Sequence, residues 1–72
     1  MVAKNKIKIR LNGRYIKIGE KYSIYQLLIK KKIPKKMVAI ELNKKIVNKN
    51  NFKKIKLKEN DVLEIVHFIG GG

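Results

Sequence analysis

From Lys6 to Leu11 the chain alternates, with Ile7, Ile9 and Leu11 on one side of an extended backbone and Lys6, Lys8 and Arg10 on the other. That period of two is the signature of a half-buried strand. Asn12-Gly13 comes next. Both central residues of a type I′ turn need positive φ, which this dipeptide tolerates, so it is a strong hairpin signal. A two-residue loop here pairs Leu11 with Arg14, Ile9 with Ile16 and Ile7 with Ile18. The apolar residues of the second strand then share a face with those of the first. Lys8, Arg10, Tyr15 and Lys17 fall together on the opposite face, in water.

Beyond Gly19 the period lengthens. Ser23-Ile24-Tyr25-Gln26 reads as a capping box, with Ser23 covering free helix N–H groups and Gln26 reaching back. Losing the Ser23 hydroxyl should cost about 1 kcal/mol. Ile24, Leu27 and Leu28 follow at i, i+3 and i+4 and define the face that packs on the sheet. Lys30, Lys31 and Lys32 occupy the last turn, where cations suit the negative end of the helix dipole, and Pro34 ends the helix.

Val38, Ile40 and Leu42 alternate with Ala39, Glu41 and Asn43 in a third strand, which stops at Asn43-Lys44 before Ile46-Val47. A polar loop, Asn48-Lys49-Asn50-Asn51, leads to Phe52, expected as a small plug at the edge of the core. Ile55 and Leu57 form a short alternating segment, Lys58 to Asp61 a turn, and Val62 to Phe68 the final strand. That strand is apolar on both faces, with Leu63 and Ile65 on one and Val62, Val66 and Phe68 on the other, as in strands central to their sheet. One helix can cover only one side, which leaves Val66 and Phe68 on the open face. The order of elements predicts an α+β fold in two layers: a mixed sheet of four to five strands with one main helix on one face. The helical connection allows the first and last strands to pair in parallel through a right-handed crossover, the layout of a β-grasp sheet. Residues 1–69 are expected to form a single domain, and 70–72 a flexible glycine tail.

A chain of 72 residues has room for one small core and no second domain. It contains no cysteine, hence no disulfide, thiolate metal site or nucleophilic thiol of its own. Met1 to Lys6 lead into alternating Ile and Lys rather than an apolar run, so no signal peptide is expected. No stretch approaches the length of a membrane span. A cytoplasmic setting, or an organelle interior such as a plastid, is expected.

The net charge of +14 invites a nucleic-acid reading, since clustered cations neutralise phosphates. The distribution weakens it. Basic residues run the length of the chain, and only Arg10 and Arg14 are arginine, the residue suited to bidentate phosphate and base contacts. Lys, Ile and Asn make up half the chain, and all three have AT-rich codons. The same positive field speeds encounter with an acidic protein.

No enzyme site is visible. Glu20, Glu41, Glu59, Asp61 and Glu64 are spread out, with no pair placed for acid–base work. His67 is the only histidine and lacks companion ligands for a metal, so a structural or interfacial role is expected. No glycine loop is placed to cradle phosphate, because Gly13 and Gly19 are turn residues and no helix follows Gly70. What remains is the terminal run Val66-His67-Phe68-Ile69-Gly70-Gly71-Gly72. Three glycines add little to stability, but they form a thin arm able to enter a channel too narrow for side chains.

The strand Val38-Ala39-Ile40-Glu41-Leu42-Asn43, Ile46-Val47 after it, and above all Asp61 to Gly72 resemble the ubiquitin-like ThiS/MoaD family of sulfur carriers. The match covers nearly all of Ile7 to Gly72. The terminal Gly-Gly is shared with molybdopterin sulfur carriers and with ubiquitin, whereas Val66-His67-Phe68 and the short length tilt the likeness toward the carriers of thiamine biosynthesis. The strong positive charge departs from the family. The resemblance implies that an E1-like adenylyltransferase (ThiF-like) uses ATP and magnesium to adenylate the carboxylate of Gly72. A persulfide sulfur donor then converts it to a thiocarboxylate, and a thiazole synthase (ThiG-like) takes the sulfur. It also implies that the chain is acted on by enzymes without being one, and binds no cofactor of its own. Gly70 and Gly71 would serve channel entry, and Val66 and Phe68 partner docking. The alternatives are a related carrier, serving molybdopterin synthesis or protein modification, and a small basic RNA-binding module.

Overall fold

The computed structural model describes residues 5–68. Strands β1 (Lys6–Leu11) and β2 (Arg14–Gly19) form the expected hairpin, in the register Leu11↔Arg14, Ile9↔Ile16 and Ile7↔Ile18. Asn12 and Gly13 adopt φ of 49° and 83°, the left-handed pair that a type I′ turn requires. Helix α1 (Ile24–Lys31) begins at the capping box: the Gln26 amide donates to Ser23 Oγ at 3.0 Å, and the Ser23 amide donates to Gln26 Oε1 at 2.9 Å. The helix ends at Lys32, whose φ of 59° puts a lysine where a glycine is usual, and the Ile33 amide closes the turn on the Leu28 carbonyl.

After a 3₁₀ turn, Lys35–Met37, come β3 (Val38–Leu42) and the two-residue β4 (Lys45–Ile46). They are joined through Asn43 and Lys44, both at positive φ. Ile55 and Leu57 do not form a strand. Lys56, between them, makes a single bridge to Ser23 and so ties this segment to the start of α1. The last strand, β5, runs Val62–His67, one residue shorter than expected.

The five strands lie in the order β2-β1-β5-β3-β4. β5 is central, parallel to β1 and antiparallel to β3, as its two apolar faces require. Ile9, Ile18, Val38, Ile40, Leu63 and Ile65 project to the side where Ile24, Leu27 and Leu28 of α1 cover them. Each such side chain contributes about 1.5–3 kcal/mol through burial. Phe52, expected at the rim, is instead fully inside, 1% exposed. The cause is a second 3₁₀ turn, Lys49–Asn51, started by the Asn50 amide donating to Asn48 Oδ1, which folds the chain back under the helix. The Phe52 carbonyl then accepts from the Tyr25 amide. The sheet is thus the mixed five-stranded β-grasp arrangement with one helix.

Two asparagines complete the pairing of β5. Its ladder with β1 covers only Arg10↔Val62 and Leu11↔Leu63. Asn12 lengthens it with its side chain, which mimics a peptide group: Oδ1 accepts from the Ile65 amide at 2.7 Å and Nδ2 donates to the Ile65 carbonyl at 3.3 Å. On the other flank Asn43 Oδ1 accepts from the Val62 amide, and the Asn43 amide donates to the Val62 carbonyl.

Candidate functional site

The site is the open face of the sheet where β5 leaves the core. Alternation carries Leu63 and Ile65 toward the helix, and Glu64, Val66 and Phe68 to the other side. On the β1 side, pairing among the described residues ends at Leu63 and the Asn12 contact to Ile65. Among the described residues, the strand from Val66 onward is held by β3 and the turn before it: Ala39 is opposite Val66, Val38 opposite His67, and the Phe68 amide donates to the Met37 carbonyl at 2.8 Å. The segment therefore runs past the end of the β1–β2 hairpin with one backbone edge open.

Val66 is 61% exposed and Phe68 46%. Their places on the open face agree with the sequence expectation. The register adds residues that the sequence pattern did not: half-buried Ala39 on β3 and exposed Met37 at the end of the 3₁₀ turn before it lie across from them and widen the apolar strip. Lys49 sits beside it, with its ammonium 5.5 Å from the Phe68 ring centroid and bonded to the Lys36 carbonyl. An exposed apolar strip on a small domain suits contact with another protein.

The same register brings Glu41 opposite Glu64, with Ile46 beyond on β4. The sequence showed these acids as separated, since the pairing of strands 20-odd residues apart is not a local property. Two of the remaining carboxylates stabilise turns: Asp61 accepts from the Lys58 amide and from Asn43 Nδ2, and Glu59 accepts from the Lys8 amide. His67 is exposed at the end of β5, and among the described residues no three potential metal-ligating side chains gather. Gly70, Gly71 and Gly72, expected to enter a channel and carry sulfur, lie outside the described residues, as do Ile69 and residues 1–4. What the described part contributes is a strand, clamped at Ile65, that carries an apolar strip on the open face of the sheet.

Residues 4–72 match the model of the ThiS family. The sulfur carrier protein ThiS of Bacillus subtilis is 38% identical over 65 residues, covering 89% of this chain and 98% of that one. A thiazole synthase from Magnetococcus marinus is 36% identical over 66 residues, which span 92% of this chain but only 20% of the synthase. Among solved structures, the thiamine biosynthesis protein ThiS from Geobacter metallireducens superimposes with a TM-score of 0.79 at 26% identity, over 92% of this chain and 100% of that one.

Proposed function

The chain belongs to the ThiS family, and we propose that it is a sulfur carrier of thiamine biosynthesis in which Gly72 bears the sulfur. The observation that carries this reading is the family match running through residue 72, joined to a strand that exposes Val66 and Phe68 shortly before the glycines in sequence. A terminal carboxylate is ionised at neutral pH, with an ordinary pKa of about 3.5, and is inert as an acyl donor. An E1-like enzyme, with ATP and magnesium, transfers AMP to the Gly72 carboxylate and releases pyrophosphate. The outer sulfur of a protein persulfide then attacks the acyl carbon and expels AMP, forming an acyl disulfide. A second thiol reduces that disulfide, so that Gly72 leaves as the thiocarboxylate and the two thiols as a disulfide.

Gly70 and Gly71 lack side chains that would block a narrow channel, while Val66 and Phe68 seat the domain outside it. The synthase match supports a thiazole synthase as the acceptor: a segment like this chain occurs within a synthase polypeptide, an arrangement that raises the effective concentration of carrier at enzyme. The reaction is placed in the cytoplasm or an organelle interior, where the ATP and thiols it needs are found.

Incubation with an E1-like enzyme, ATP, magnesium and a persulfide donor should add about 16 Da to the intact chain, sulfur replacing oxygen. Deletion of Gly72 should abolish the gain while the domain still folds. A truncated chain that still gained the mass would refute the assignment, and isopeptide adducts on other proteins in place of the gain would identify a protein modifier.

A further inference from the structure

Three stretches far apart in sequence meet where β5 ends. The 3₁₀ turn Lys35–Met37 offers two successive carbonyls: that of Met37 accepts from the Phe68 amide at 2.8 Å, and that of Lys36 accepts from the Lys49 ammonium at 3.3 Å. The same ammonium lies 5.5 Å from the centroid of the Phe68 ring. Phe68 is therefore held twice from one turn, directly through its amide and, by way of Lys49, through its ring. The backbone of Lys49 is itself fixed. Lys49 opens the second 3₁₀ turn, where the Asn50 amide donates to Asn48 Oδ1 and the Phe52 amide donates to the Lys49 carbonyl. Phe52 is buried, so this turn is tied to the core. Holding a lysine in one place costs rotamer freedom, and here a carbonyl on one side and a ring on the other offset that cost.

We infer that Lys49 is a positioning residue, which fixes the Phe68 ring at the root of the tail for the enzyme that adenylates Gly72; the inference rests on the carrier reading above. Phe68 lies beyond Ile65, the last residue of β5 that the Asn12 side chain holds, and its ring is half in water. A ring already held in place has less freedom to lose when a partner covers it, and that loss otherwise weakens association. A cation against an exposed ring shifts such an equilibrium by about two- to fivefold. The effect belongs to recognition and not to the reaction, because Lys49 acts on Phe68, four positions before the carboxylate of Gly72. Its loss therefore raises KM and leaves kcat unchanged. Arginine can take its place, since a guanidinium also donates to a carbonyl and stacks on a ring. A prop of the fold is the competing role. Lys49 is exposed, and the residue it touches comes after the buried part of β5, so the core does not depend on this contact.

The test compares the full natural chain with Lys49→Met, which keeps the apolar stem and removes the ammonium, and with Lys49→Arg. Lys54→Met is the control, because it takes the same charge from another exposed lysine. The first readout is NMR of the isolated chain. The ε-methylene protons of Lys49 should show the upfield ring-current shift of a group near an aromatic face and lose it in Phe68→Leu. Exchange of the Phe68 amide should quicken by about two- to fivefold in Lys49→Met, while the Ile65 amide exchanges as before. The second readout is ATP–pyrophosphate exchange by the E1-like enzyme of the same organism, with the chain as the varied substrate. Lys49→Met should raise KM about two- to fivefold at unchanged kcat, and Lys49→Arg and Lys54→Met should match the natural chain. An equal rise in Lys54→Met would reduce the effect to net charge and overturn the assignment. So would an arginine variant as poor as methionine, a fall in kcat in place of the rise in KM, or a urea midpoint that drops with Lys49→Met. Intact mass is read with a persulfide donor in the same samples. If the natural chain supports no exchange and gains no sulfur, the carrier reading fails, and the NMR readouts still decide whether Lys49 holds Phe68. If it does both and Lys49→Met behaves identically, only the role of Lys49 fails.

Discussion

Asn12 performs two tasks, and substitution separates them. Its φ of 49° serves the β1–β2 turn, while its amide group supplies both partners of the Ile65 peptide. Asn12→Gly retains the positive φ at no steric cost and removes the side chain, with the added freedom of glycine in the unfolded chain a smaller contribution to the loss. The 2.7 Å bond from the Ile65 amide is worth about 1 kcal/mol net, and leaving that partly buried donor without a protein partner adds a desolvation cost of about 1 kcal/mol. The longer 3.3 Å bond adds little. The expected loss is therefore about 2 kcal/mol for Asn12→Gly, and about 3 for Asn12→Ala, which also forces alanine into the left-handed region. In a chain of this size, 2 kcal/mol corresponds to a fall in Tm of about 8–16 °C. Asn12→Asp keeps the acceptor for the Ile65 amide and should recover most of the loss. Urea unfolding followed by far-UV circular dichroism measures the series, and an unchanged m-value shows that the states compared are the same. An Asn12→Gly chain within about 0.5 kcal/mol of the natural one would show that water satisfies Ile65 equally well, and the argument for the clamp would fail.

Two further substitutions test the local readings. Ser23→Ala removes the acceptor for the Gln26 amide and should cost about 1 kcal/mol by urea unfolding; no loss would mean that the capping box contributes nothing net. Lys44→Gly should stabilise by up to about 1 kcal/mol, because Lys44, at φ 72°, occupies the turn position that Gly13 holds in the first hairpin, and loss of stability would mean that the greater freedom of glycine in the unfolded chain outweighs the relief.

What could be read from the sequence was local or periodic. The first hairpin was legible because a two-residue turn fixes its own register, and the helix because its cap and apolar spacing lie within one turn of each other. The central place of β5 followed from its two apolar faces. Long-range register was not legible. Nothing in the sequence sets Glu41 against Glu64 or Met37 against Phe68, since both pairings depend on how far β3 slides along β5. Asn12 and Asn43 were read as turn residues, and their bonds to Ile65 and Val62 arise only once the hairpins dock on the last strand. Phe52 went deeper than expected because Lys49, Asn50 and Asn51 form a 3₁₀ turn, for which Asn48 was the available signal.

These misses share a consequence for the site. The contacts that hold β5 in place are concentrated at Val62, Leu63 and Ile65, where side chains are buried or asparagines clamp the backbone. The residues that face outward, Val66 and Phe68, come after the last of these anchors. Their apolar surface remains largely in water in the isolated chain, so its burial is a source of free energy still available to a complex. A carrier must be recognised by one enzyme and released to another, which favours contacts that add affinity without being needed for the fold. If the proposed carrier role holds, placing them one residue beyond the Asn12 clamp lets partners compete for the strip without drawing on the contacts that hold the core.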